Sequence, residues 1–170
     1  MPAATDFRRR AFSIATINAS GRDVGRHVYW KLYAIENLVR VVVHSVLSVQ
    51  IPGGNWWTAV DQGLQSKVAG FRGQYANQPW HSTPGRHEVY YTFLSDLNAI
   101  ITAHSHLFRP TIPDIDQWIA RIEQIRLPRN IVGHMNWPSS TDRQRIDVFY
   151  QDFQALIKKL ASANFSFVIP

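Results

Sequence analysis

Apolar residues fall at helical spacing through most of this chain. Val28, Leu32, Ile35, Val39, Val42, Val46 and Val49 recur at steps of three and four, so they share one face of a 3.6-residue repeat. The stripe predicts a long first helix from Val24 to Val49, roughly 40 Å in length. The run Ile51-Pro52-Gly53-Gly54-Asn55 ends it. Asn55 is placed to cap a second helix over Trp56 to Tyr75, within which Gly63, Gly70 and Gly73 each cost about 1 kcal/mol against alanine. Phe93, Leu97, Ile100, Ile101 and Leu107 predict a third helix over Tyr90 to Leu107. Ile115, Trp118, Ile119, Ile122 and Ile125 mark a fourth, with the Asp114 carboxylate at its positive end. Ile146, Phe149, Phe153, Leu156, Ile157 and Leu160 mark a fifth from Thr141 to Ala161, capped by Ser139 or Ser140.

Elsewhere the repeat changes or breaks. Phe12, Ile14 and Thr16 alternate with smaller residues, as does the segment Phe165-Ser166-Phe167-Val168-Ile169. Period two predicts two short strands there, which we expect to pair. Ser20-Gly21-Arg22-Asp23 reads as a turn, and residues 76–88, rich in Pro, Gly and His, as a loop. Pro128 removes a backbone donor and crowds the carbonyl of Gln124, so a kink is expected, with Arg129 opening the resumed segment. The expected organisation is a basic tail and short strand over 1–23, an all-α five-helix domain over 24–162, and a terminal strand or tail over 163–170. No internal repeat or low-complexity stretch interrupts it.

Composition narrows the function classes. A hydrophobic share of 45% over 170 residues suits one globular domain with a real core. The chain has no cysteine, which excludes disulfides and thiolate metal sites and agrees with a cytoplasmic location. The most apolar stretch, Leu38 to Leu47, is broken by Arg40 and His44, so no membrane association is expected. The start, with Arg8, Arg9 and Arg10, lacks the apolar run of a secretory signal. A net charge of +6 favours a polyanionic partner through counterion release.

The candidate chemistry lies in Arg129-Asn130-Ile131-Val132-Gly133-His134. A guanidinium grips phosphate oxygens through paired donors and stays charged. An imidazole moves protons near neutral pH. Asn130, four residues before His134, shares its helix face and can orient the ring. The spacing by itself is weak, since fourteen arginines and seven histidines give roughly 0.6 such pairs by chance. Arg22 and His27 have the same separation, but they fall in the expected turn. At about 100° per residue, Arg129 and His134 lie about 140° apart, so a kink at Pro128, loosening at Gly133 or a second copy of the chain is needed to bring them together.

Other polar residues carry two readings each. Glu36 and Arg40 are either an i,i+4 helix pair, worth roughly 0.2–0.5 kcal/mol when exposed, or neighbours of the Arg129–His134 site. Arg126, one turn before Arg129, either widens a phosphate grip or is a surface charge. His104 and His106 are two apart and point to opposite helix faces, which does not suit a metal. Asp114 and Asp116 read as helix-start residues. Trp56, Trp57 and Trp80 are more readily core or dimer packing than base-stacking platforms.

The wider pattern resembles the HEPN family (higher eukaryotes and prokaryotes nucleotide-binding). Arg129, Asn130 and His134 match its signature near the end of a late helix. Leu32-Tyr33-Ala34-Ile35-Glu36-Asn37-Leu38-Val39-Arg40, Trp56-Trp57 and Tyr91-Thr92-Phe93-Leu94-Ser95-Asp96-Leu97 match weaker segments of one subgroup. The similarity spans about residues 28–160. It implies an all-helical homodimer whose paired motifs form one metal-independent endoribonuclease site, with no cofactor, as in toxins and phage-defence effectors that work with an antitoxin or other defence partner. Arg129, Asn130 and His134 would then be catalytic; on the functional reading of each, Arg126, Glu36 and Arg40 would bind the substrate. The resemblance also implies members without catalysis, which act as RNA- or nucleotide-binding modules or as dimerising scaffolds. Two positions depart from the pattern: Asn136 stands where one toxin branch has a tyrosine that a partner enzyme modifies, and Pro128 directly precedes the motif.

Overall fold

A computed structural model describes residues 6–170. Among these residues the chain is built from helices alone. In order they are α1 (Ile14–Val24), α2 (Trp30–Gln50), α3 (Gln62–Ala76), α4 (Leu94–Ala103), α5 (Ser105–Phe108), α6 (Ile115–Gly133) and α7 (Ser140–Ser162), with a π-helical turn Gly25–Tyr29 joining α1 to α2. The chain divides into two compact units, Met1–Ile35 with Gln124–Ile157, and Glu36–Glu123 with Lys158–Pro170. An all-α fold is therefore what the apolar spacing predicts.

In the first unit, Val28, Leu32 and Ile35 are buried, as are Ile125, Val132, Ile146, Phe149 and Phe153. Phe149 and Phe153 stack at 5.6 Å, one helical turn apart. Trp30 meets Tyr150 edge-on at 5.1 Å. Two ion pairs join segments far apart in sequence: Lys31 to Asp147 at 2.5 Å, and Arg143 to Asp23 at 2.7 Å. Ser139 and Asp142 form the cap of α7. The Ser139 hydroxyl accepts from the Asp142 amide at 3.1 Å, and the Asp142 carboxylate accepts the Ser139 amide at 3.1 Å.

In the second unit, the α2 stripe Val39, Val42, Val43, Val46 and Leu47 is buried with Trp56, Leu94, Leu97, Ile101 and Phe108. Arg40 ties the chain leading into α4. Its guanidinium donates to the carbonyls of Val89 at 3.2 Å and Thr92 at 2.8 Å, and to Glu36 at 2.5 Å. Glu36 and Arg40 thus form the expected i,i+4 pair, but as a nearly buried clamp, 13% and 11% exposed, rather than a solvated one. The C-terminal segment docks through Ser45, whose hydroxyl accepts the Val168 amide at 2.8 Å.

Several boundaries differ from expectation. Residues 12–17 are not a strand, because Ile14, Ile17, Val24 and Val28 continue the three-and-four spacing backwards into α1. Gly21 leaves a gap in that stripe, and this makes Ser20-Gly21-Arg22-Asp23 look like a turn although it is helical. The segment 165–169 forms no ladder; α7 instead ends with Asn164 in the left-handed region (φ 58°) and the Phe165 amide bonded to the Leu160 carbonyl at 3.0 Å. The expected second helix starts at Gln62, with the Asp61 carboxylate accepting the Leu64 amide, while Asn55 caps a short 3-10 turn Trp56–Ala59. The third breaks at His104 into α4 and α5. Pro128 does not end its helix, and α6 runs through it. By length and composition alone, the helical stretch Ile14–Gln50 is apolar enough to cross a membrane, and half of its most apolar window is buried within the fold, as in the core helix of a soluble protein.

The Arg40 clamp yields a stability prediction. Removing the guanidinium takes a charged donor from the Glu36 carboxylate and from the Thr92 carbonyl in a nearly dry site, while the Val89 carbonyl keeps the Thr92 hydroxyl. Arg40→Met should lower unfolding free energy by about 3 kcal/mol in chemical denaturation. A loss no larger than that of an exposed helix pair would show that the clamp is solvated.

Candidate functional site

The first unit gathers most of the predicted site residues and most of the surplus charge. It carries ten arginines and lysines against five aspartates, whereas the second carries eight against seven. Arg126, Arg129, Asn130 and His134 all lie in its α6 segment. Glu36 and Arg40 belong to the second unit and are engaged in the clamp described above.

How α6 ends decides what these side chains can do. The Asn136 amide bonds back to the Ile131 carbonyl and the Met135 amide to that of Val132, both at 2.9 Å. This six-to-one and five-to-two pairing is a Schellman closure. Its left-handed residue is Met135 (φ 58°), where glycine is usual. The Asn136 side chain adds to the cap by donating Nδ2–H to the His134 carbonyl at 3.1 Å. His134 is the residue that follows the last helical position, Gly133, and it is exposed to solvent. The terminus is thereby fixed by backbone bonds, and the imidazole is left at the surface.

Gly133 has a different part from the loosening expected of it. A Cβ built on Gly133 would lie 3.1 Å from Arg129 Nη1 and 3.8 Å from its Cζ. The guanidinium therefore folds along the helix and lies over the bare Gly133 backbone, directly before His134. The 140° separation on the helical wheel concerns where stems leave the axis. The length of the arginine side chain carries its charged end one turn onward, to the same helix end as the imidazole. Asn130 is half-buried one turn before His134, and its carbonyl accepts the His134 amide at 2.9 Å.

A second polar cluster, not anticipated as a unit, lies in the second unit. Trp56 donates its indole N–H to His44 Nδ1 at 3.0 Å and stacks on His87 with ring centroids 5.1 Å apart. His87 Nδ1 accepts the Val89 amide at 3.1 Å, and the two imidazoles meet edge-on at 4.7 Å. With both Nδ1 atoms accepting, each neutral ring keeps its proton on Nε2, so neither offers a lone pair to a metal. Among the described residues no group of three or more His, Cys, Asp or Glu is placed to hold a metal ion. Burial holds both histidines below their ordinary range; His87 adds to this at His44, while at His87 Glu88 opposes it and Arg72 adds to it. Trp56 and Trp57 are core residues, whereas Trp80 is exposed. The sequence signal for the cluster was faint: His44 sits beside the α2 stripe, and His87 lies in the Pro-, Gly- and His-rich loop.

The pH dependence follows from the sign of these shifts. A histidine with a lowered folded-state pKa binds protons more readily when the chain is unfolded. Its stabilising effect is complete above the unfolded value of about 6.5 and is lost as pH falls through the folded value. The thermal midpoint should decline on acidification from about pH 7.5 to about 5, and a His44→Gln/His87→Gln variant should show a flatter decline. Equal slopes in the two proteins would remove the histidines as the cause.

No family model, curated protein or solved structure matches this chain, so its function has to be read from the side chains themselves.

Proposed function

We propose that this chain is a metal-independent endoribonuclease of the HEPN type that acts as a homodimer, as a toxin or phage-defence effector. The observation that carries the reading is the placement of the Arg129 guanidinium over Gly133, directly before the exposed His134, in the unit with the surplus positive charge. RNA brings its own nucleophile. The ribose 2′-oxygen attacks the adjacent phosphorus, the bond from phosphorus to the 5′-oxygen breaks, and the products are a 2′,3′-cyclic phosphate and a 5′-hydroxyl. One proton leaves the 2′-hydroxyl and one reaches the 5′-oxygen, and an imidazole can serve as base or as acid in these transfers. Arg129 would hold the charge that builds on the phosphoryl oxygens, Asn130 would orient the ring, and Arg126 would extend the grip along the strand.

The dimer is supported by apolar surface in the same unit. Phe12, Ile14, Tyr29, Trp30, Tyr33 and Leu127 are each at least 44% exposed, more large apolar side chains than an isolated unit of this size gains by showing to water. A second copy would also supply a second His134, so that base and acid need not be the same ring. One further observation favours a silent RNA- or nucleotide-binding module or scaffold: a guanidinium at a helix C-terminus offsets the negative end of the helix dipole whether or not it meets phosphate.

Cleavage of RNA with EDTA present separates these readings. Wild type should cut and leave cyclic-phosphate ends, while Arg129→Ala and His134→Ala should each cut at least about 100-fold more slowly. Undiminished cleavage by both variants would displace the site. A wild type inert on every RNA, yet binding RNA with a steep salt dependence, would establish the silent module.

A further inference from the structure

We infer that the first unit holds a nucleobase-binding cavity beside the Arg129–His134 helix end, and that this cavity seats a base flanking the cleaved phosphate. The inference rests on reading that helix end as an RNA site. The cavity has a volume of about 330 Å³ and is walled by Phe7, Tyr29 and Trp137, with Gly21 and Gly25 among its lining residues. Sites for small organic molecules span roughly 300–1,000 Å³ and are mostly apolar with a few polar atoms, so a single base, with its sugar and phosphate outside, is the scale that fits.

Three features make this more than a gap between helices. Gly21 and Gly25 are one turn apart, and a Cβ built on either meets nothing within 4 Å. Backbone is bared where larger residues would narrow the space, and Gly25 opens the π-helical turn, a distortion often found at functional sites. Trp137 is held by a cation: the Arg143 guanidinium lies 4.3 Å from its ring centroid and is anchored by Asp23 at 2.7 Å. A fixed aromatic ring is a stacking surface that accepts any base. Asn136 links the cavity to the site. It lines the space and donates one Nδ2–H to the His134 carbonyl. Its Oδ1 and second N–H then form an acceptor–donor pair of the kind that meets a base edge.

The test is binding, read separately from cleavage. Calorimetry on full-length His134→Ala protein should find adenosine monophosphate at least tenfold tighter than ribose 5-phosphate, which lacks the base. Adding Gly21→Leu should abolish that preference and leave ribose phosphate binding unchanged. Leucine is a better helix former than glycine and Gly21 has open space around it, so the fold should hold, as circular dichroism would verify. Base binding that Gly21→Leu removes would uphold the cavity even if wild type cut no RNA, so the two readings fail separately. No preference for adenosine monophosphate, or a preference that survives Gly21→Leu, would overturn it. A change of oligomeric state in Gly21→Leu, seen by sedimentation without any base preference in the parent, would assign the cavity to a second copy of the chain and also overturn it.

Discussion

The proposed chemistry depends on the close approach of one guanidinium to one bare stretch of backbone. Arg129 lies over Gly133, where a Cβ would sit 3.1 Å from its Nη1. A side chain leaving the helix one turn earlier thereby delivers its charge to the helix end, over the residue that precedes His134. The Schellman closure through Met135 and Asn136 completes the arrangement. It gives the Ile131 and Val132 carbonyls backbone donors, and so fixes the end of α6. Holding Met135 in the left-handed region costs about 1–2 kcal/mol relative to an ordinary helical residue, and Asn136 binds the His134 carbonyl in partial return.

The second unit uses the same kind of interaction for a different end. Arg40 is also a long cation reaching along a helix, but it finds the Val89 and Thr92 carbonyls and the Glu36 carboxylate in a nearly dry setting. Those bonds tie α2 to the chain before α4, so its work is structural. His44 and His87 follow the same logic: packed against Trp56 with their Nδ1 atoms occupied, they are held neutral by burial. The positive surplus is left in the first unit, with the α6 terminus.

Regular apolar spacing was the part of this molecule most open to reading. The α2, α6 and α7 stripes and the Ser139 cap follow from side-chain period and capping chemistry, whereas Asn55 caps only a short 3-10 turn and Asp61 caps the helix after it. What misled was missing apolar mass. Gly21 interrupts the α1 stripe, and the residues before it then mimic a strand of period two. Pro128 suggested an interruption that tertiary packing absorbs, since it is buried within a continuous α6. Among the candidate residues, the Arg129–His134 pair was visible as a spacing. The part of Gly133 was not, because a helical wheel records where a stem leaves the axis and ignores where a flexible side chain ends. In the sequence Asn136 stands out only as a departure from a family pattern; its place at the helix cap and on the cavity wall depends on the left-handed turn at Met135, which no spacing announces.

The most direct test of the account is the Gly133→Ala variant, measured for stability and for RNA cleavage side by side. Alanine is the better helix former by about 1 kcal/mol, while its methyl group would meet the Arg129 guanidinium. The account predicts a fold at least as stable as wild type and cleavage slowed by roughly tenfold or more, the cost of displacing a phosphate clamp. A stable variant that cuts RNA at the wild-type rate would contradict it.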